Sequence, residues 1–175
     1  MRLAKLSENL LKLTSLESEH HPFELKRYRL DNQLRKIVLA FEPQWVEKAI
    51  SIKVDFEEAF IVADEELMSQ VWVNLINNSL KFTPREGRIS LHLQRRERDT
   101  VVQISDTGIG IHEADQAHIF ERFYKADKSR NLTSSGSGLG LAIVKKILNM
   151  HDSNISVHSK NVEGTTFTVV LPSSK

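Results

Sequence analysis

One helix constrains what can surround it. Between Asp64 and Pro84, Leu67, Val71, Leu75, Asn78 and Phe82 recur on neighbouring turns, with Asp64 placed to cap the start and Pro84 to stop the end. Strand patterns flank this helix. Ile50, Ile52, Val54 and Phe56 alternate before it, and Phe60–Val62 is expected to close a hairpin with them through the acidic turn Glu57-Glu58. After it, Arg88–Arg95 and Thr100–Ser105 read as an antiparallel pair joined by the charged turn Arg96–Asp99. A further amphipathic helix, Leu139–Met150, precedes a closing hairpin, Asn154–Ser159 with Thr165–Leu171. Helices interspersed among such strands predict an α/β fold: a two-layer sandwich of a mixed β-sheet with helices on one face.

A short N-terminal helix precedes that fold. Within residues 1–18, Leu3, Leu6, Leu10 and Leu13 follow a 3-4-3 spacing, a narrow seam suited to a helical bundle or coiled coil. Two heptads are too short to stand alone, so the seam is expected to be the end of something longer, the alternative being an N-terminal helix docked on its own domain. His20-His21-Pro22 marks a boundary. Phe23–Leu30 then reads as a short strand, and Asp31 as the cap of a helix carrying Leu34, Ile37, Val38 and Phe41, kinked or restarted at Pro43. A short helix is expected over Glu113–Phe123.

Composition excludes more than it assigns. A net charge of +1 gives no general pull toward nucleic acid, and the absence of cysteine removes disulfides, thiol catalysis and thiolate-bound zinc. No run is long and apolar enough to span a membrane, and Glu8 interrupts the apolar part of the N-terminus, which is therefore not read as a signal peptide. The histidines form no H-x-x-x-H or H-E-x-x-H pair, so no histidine-held metal is expected.

Polar clusters carry the chemistry. Asn74, Asn78 and Lys81 share one face of the Asp64 helix, where asparagine is a poor choice unless its amide has work to do. An amide oxygen can ligate a hard cation, and an ammonium can reach a phosphate. Ser105-Asp-Thr-Gly-Ile-Gly-Ile111 ends a strand, making Asp106 a candidate buried acceptor and Gly108 and Gly110 openings for a planar ligand. An aspartic protease would need a second such carboxylate or an all-β dimer, which this helical chain does not offer. Finally, Leu132–Lys146 passes from a polar segment into a helix through Gly136, Gly138 and Gly140. No strand precedes these glycines and the G-x-x-G step is missing, so a dinucleotide fingerprint is excluded. A glycine-hinged lid, mobile and closing phosphates against the helix N-terminus, fits both features.

In this order and spacing the clusters resemble the ATP-binding catalytic domain of bacterial two-component sensor histidine kinases, of the Bergerat-type GHKL superfamily. Asn74–Pro84 resembles the N box, Asp106–Ile111 the first glycine box, Ile119–Tyr124 the F box and Gly136–Leu141 the second glycine box; Gly164–Pro172 is similar to the usual domain end. The resemblance implies a catalytic domain over 23–172, with residues 1–20 as the end of the second helix of a dimerisation hairpin. It implies ATP and Mg²⁺ as ligands, with Asn78 on the metal, Asn74 and Lys81 beside the phosphates, and Asp106 accepting from the adenine amine. Phe82, Gly108, Gly110, Ile111, Phe120, Tyr124, Gly136, Gly138, Leu139, Gly140, Leu141 and Thr166 are implied to line the nucleotide. Lys125 is implied to meet the γ-phosphate from the lid. Asn74, Lys81 and Lys125 are thus the implied catalytic set.

No match to the family's phospho-acceptor box exists in this sequence. The implied activity is therefore transfer of the γ-phosphoryl group to a histidine on a hairpin supplied from elsewhere, for relay to a response-regulator receiver domain. Related gyrase and chaperone ATPases carry a glutamate at the place of Asn74; such an ATPase, or a non-catalytic nucleotide-binding module, is the alternative. The resemblance further implies a cytoplasmic domain, monomeric or weakly dimeric, of a dimeric parent anchored in the bacterial membrane.

Overall fold

The computed structural model describes residues 2–125 and 138–173. The chain runs α1 (Arg2–Glu17), β1 (Lys26–Arg29), α2 (Leu30–Ala40), α3 (Glu42–Glu47), β2 (Ser51–Phe56), β3 (Phe60–Ala63), α4 (Glu65–Phe82), β4 (Arg88–Arg95), β5 (Asp99–Asp106), α5 (Glu113–Gln116), α6 (Gly140–Met150), β6 (Asn154–Lys160) and β7 (Gly164–Pro172). A five-stranded sheet in the order β2-β4-β5-β7-β6 forms one layer. Only β2 and β4 pair parallel; the other neighbours are antiparallel.

Period-two alternation gives this sheet its two faces. Ile89, Leu91 and Leu93 of β4, Val102 and Ile104 of β5, and Phe167 and Val169 of β7 form one core with Val71, Trp72 and Leu75 of α4 and Ile143 and Ile147 of α6. The opposite face is polar, with Ser105 bonded to Thr166 and Gln103 to Thr168 across β5 and β7. The α/β sandwich expected from the sequence, helices on one face of a mixed sheet after an N-terminal helix, is the fold found.

Helix α4 is held at both ends. Asp64 Oδ1 accepts the Leu67 N–H at 3.0 Å, Glu65 and Glu66 lie in the first turn and Lys81 in the last, each suited to the helix dipole. At the far end Lys48 Nζ donates to the Leu80 and Thr83 carbonyls at 2.7 and 2.6 Å. Burial lowers the Lys48 pKa, with Arg85 adding to the effect. Within the core, Gln33 of α2 accepts from Trp72 Nε1 and Tyr28 Oη and donates to the Glu65 carbonyl, tying α2 to α4.

Several local expectations are corrected. Strands β2 and β3 do not form a hairpin: β3 pairs with β1 in a separate two-stranded sheet, and β2 joins β4. The segment between them is captured by the start of α2. Asp31 accepts the Ala59 N–H at 3.2 Å, and the Ala59 carbonyl takes the Leu30 N–H at 2.9 Å. Asp31 is accordingly not the cap of α2. The helix begins at Leu30, and Asp31 is a buried first-turn residue bonded to Arg29. Pro43 restarts the chain as α3. The helix expected over Glu113–Phe123 stops at Gln116.

The leucine seam of α1 also divides. Leu13 and Leu16 are buried, 2% and 4% exposed, while Leu3 and Leu10 stand 79% and 42% exposed. Helix α1 packs on α6 through that buried pair, and Glu17 at its end forms an ion pair with Arg122.

Candidate functional site

Three contacts bring the polar clusters of the sequence together. At the first, Asn74 donates Nδ2–H to the Gln70 carbonyl at 2.8 Å, which turns its Oδ1 toward the start of α6. A Cβ on Gly140 would lie 3.0 Å from that oxygen, so only glycine lets α6 come so close without displacing the amide. At the second contact, the end of α4 meets the loop after β5. The Phe82 carbonyl accepts the Ile109 N–H at 3.3 Å, and a Cβ on Gly108 would stand 2.6 Å from the same carbonyl. The third joins Phe123 to Gly138. Phe123 N–H donates to the Gly138 carbonyl at 2.9 Å, with Phe123 in a left-handed conformation (φ 62°) uncommon for a bulky residue. Gly138 itself has φ 76° with no room for a side chain against Phe123.

Asp106 closes the arrangement at the end of β5. Its Oδ1 accepts the Gly108 N–H at 2.9 Å. Burial raises its pKa, against the pull of the Gly108 N–H, the nearby Ser79 hydroxyl and the Thr165 backbone. Ser79 Oγ is buried on α4 near this carboxylate, whose charged form it favours. A half-buried carboxylate at a strand end beside a buried hydroxyl makes a polar corner between α4 and the sheet.

The remaining candidate residues fall at different depths. Asn78 and Lys81 are half-buried on α4, with Lys81 Nζ 5.2 Å from the centre of the Phe82 ring. Ile111 packs on the core and donates its N–H to Ser159 Oγ at 2.7 Å. Gly110 adopts φ 73° against the Lys160 carbonyl. Phe120 sets its ring edge-on to Phe167, Tyr124 donates its hydroxyl to Asp115, and Lys125 is half-buried beside it. Leu139 is wholly buried, and Leu141 packs on the core edge. Gly136, and the expected lid Lys125–Ser135 apart from Lys125, fall outside the described residues.

Thr166 lies apart from the other candidates. It sits on the polar face of the sheet, bonded to Ser105, because strand alternation turns it away from the helices. Thr165 is the residue that belongs beside Asp106. It pairs with Asp106 in the β5–β7 ladder and is buried on the helical face. Counting back by twos from Leu171, Val169 and Phe167 reaches Thr165, so alternation alone could have found it. Ser159, which contacts both Ile111 and Thr165, carried no sequence signal.

A two-layer sandwich whose long helix, strand-end carboxylate and glycine loops converge in this way defines a GHKL-type ATP-binding domain. The model of the family "Histidine kinase-, DNA gyrase B-, and HSP90-like ATPase" matches residues 63–175, and the chain belongs to that family. It is 41% identical over 112 residues to the sensor-like histidine kinase SenX3 of Mycobacterium tuberculosis, covering 64% of this chain and 27% of SenX3. It is 31% identical over 174 residues to the sensor histidine kinase WalK of Bacillus subtilis, covering 98% of this chain and 28% of WalK. Full-length ShkA in complex with AMPPNP is similar in structure, with a TM-score of 0.85 at 25% identity over 99% of this chain and 36% of ShkA. The chain thus spans less than a third of the two relatives' length. Its relatives are sensor histidine kinases, and the domain is of their catalytic ATP-binding kind. No described helix is long and apolar enough to cross a membrane.

Proposed function

We propose that this chain binds ATP with magnesium and delivers the γ-phosphoryl group to a histidine on a dimerisation hairpin of its parent protein, for relay to a receiver domain. The observation that carries the reading is the Asp106 corner: a half-buried carboxylate fixed by Gly108, with the buried Ser79 hydroxyl near it. Such an acceptor suits the exocyclic amine of adenine and repels the carbonyl of guanine. Asn74 and Asn78 offer amide oxygens and Lys81 and Lys125 positive charge, a donor set that fits a magnesium-bound triphosphate. Asn78 would supply one oxygen to the metal, which neutralises phosphate charge when bound.

The phosphoryl step asks little general-base chemistry of these residues. A neutral imidazole attacks with its own lone pair, the new N–P bond forms as the bridging P–O bond to ADP breaks, and the imidazolium releases its proton to solvent. Positioning and charge neutralisation by the lysines then supply most of the protein's contribution. Asn74 cannot accept a proton, which favours this transfer over water activation by a glutamate. We assign α1 to the end of the hairpin and the parent to the bacterial membrane.

Titration calorimetry with ATP and GTP, each with and without magnesium, tests the reading. ATP should bind more tightly than GTP, and magnesium should strengthen ATP binding. Asn78→Ala should remove most of the magnesium effect while metal-free ADP binding stays nearly intact. Equal affinity for the two nucleotides would overturn it.

A further inference from the structure

Ser159 of β6 touches both the loop after β5 and Thr165, the residue paired with Asp106, and counting protons fixes how these groups can bond. Its Oγ lies 2.8 Å from the Gly164 carbonyl, 2.7 Å from the Ile111 nitrogen and 2.9 Å from Thr165 Oγ1. A hydroxyl has one proton to give and two lone pairs to receive with. The Gly164 carbonyl can only accept, so the Ser159 proton goes there. The Ile111 N–H can only donate, so it occupies one lone pair. The bond to Thr165 must therefore run from the Thr165 hydroxyl to Ser159. That spends the only proton of Thr165 and leaves its oxygen as an acceptor.

Thr165 stands across the ladder from Asp106, buried on the same face. Two acceptors, one a carboxylate and one a hydroxyl whose proton is already engaged, then stand side by side across the ladder. A 6-amino purine has two N–H protons to give at one nitrogen; a 6-oxo purine presents lone pairs there instead. We infer that Ser159 is a positioning residue for base selectivity, acting through Thr165: by accepting the threonine proton it makes Thr165 an obligate acceptor and biases the site toward a 6-amino purine nucleotide. The inference rests on the ATP reading above and adds to it a residue whose side chain need not touch the nucleotide.

The test is the ratio of ITP to ATP dissociation constants, measured by calorimetry on the full chain and its variants. Ser159→Ala frees the Thr165 proton to turn toward the ligand, and the preference for ATP should fall roughly tenfold, about the worth of one hydrogen bond. Ser159→Thr keeps a hydroxyl on a strand that accommodates a β-branched residue, and should retain the preference. Thr165→Val should lower the preference by itself, and in that background Ser159→Ala should change the ratio no further. Parallel weakening of ATP and ITP in Ser159→Ala would reduce Ser159 to a structural residue and overturn the inference. Should Ser159→Ala fail to fold, an unchanged ratio in Thr165→Val overturns it equally. If the unaltered chain binds neither nucleotide, the ATP reading falls as well; if it prefers ATP and only the variants fail to shift the ratio, the Ser159 inference alone falls.

Discussion

Asp106 carries opposing demands, one from folding and one from binding. Burial raises its pKa, which means the nucleotide-free domain is less stable with the carboxylate ionised. For a carboxyl whose folded pKa is raised, its favourable contribution is fully present below the ordinary carboxylate range and is lost as pH climbs through the raised value. Asparagine resembles the protonated form at every pH. Asp106→Asn should therefore raise the melting temperature of the nucleotide-free domain at pH 7, and the gain should vanish below about pH 4. The same change should weaken ATP binding by about 1.5–3 kcal/mol, ten- to a hundredfold, through loss of a charge-assisted bond. A variant neither stabilised nor weakened would make Asp106 a turn residue only. The position of Asp106 at a strand end was legible from Ser105-Asp-Thr-Gly, because glycine spacing and strand alternation are local properties. Its polar corner was not. Ser79 reads as one more helix residue until α4 is laid over β5, and Thr165 differs from Thr166 only in the direction strand alternation gives it.

At the scale of elements, the N-terminus of α4 is a junction of three segments. Asp64 Oδ1 caps the helix through Leu67 N–H, its Oδ2 accepts the Glu24 N–H at 2.9 Å, and its own N–H donates to His151 Nε2 at 3.0 Å. The cap thus joins the segment after α1, the long helix and the end of α6. Asp64→Ala should cost about 1–2 kcal/mol in urea unfolding, in the upper range for a lost cap, whereas Asp64→Asn keeps the Oδ1 acceptor and should lose less. Equal losses would mean that the cap oxygen contributes nothing. This helix was readable from one end to the other because cap, period and proline stop all lie within it. The β2–β3 step was not, since alternation identifies strands without naming their partners. Its outcome was decided by Asp31, distant in sequence, taking the Ala59 N–H. Likewise α5 ends early because the chain after it turns to let Phe123 reach the Gly138 carbonyl, a contact set by a segment further along the chain.

For the molecule as a whole, the placement of α1 decides whether the chain can be its own substrate. Its histidines nearest the boundary, His20 and His21, follow the helix that packs on α6. His21 is bonded to Ser15 Oγ at 2.9 Å and lines a groove with Leu11, Leu16, Leu67 and Gln70. That groove is lined from α4 by Leu67 and Gln70, and Asn78 stands eight residues beyond Gln70, roughly 12 Å by helical rise. In-line transfer needs the imidazole within van der Waals reach of the γ-phosphorus, so neither histidine is placed to attack within its own domain. Incubated with radiolabelled ATP and magnesium, the chain should accumulate no acid-labile phosphate. Given a separate dimerisation hairpin from its parent, it should label the hairpin histidine slowly, because the covalent tether that sets effective concentration is missing. Stoichiometric phosphate on His20 or His21 would contradict both the distance argument and the assignment of the acceptor to another segment. Labelling of the hairpin at a rate insensitive to Asn78→Ala would separate transfer from the proposed metal position.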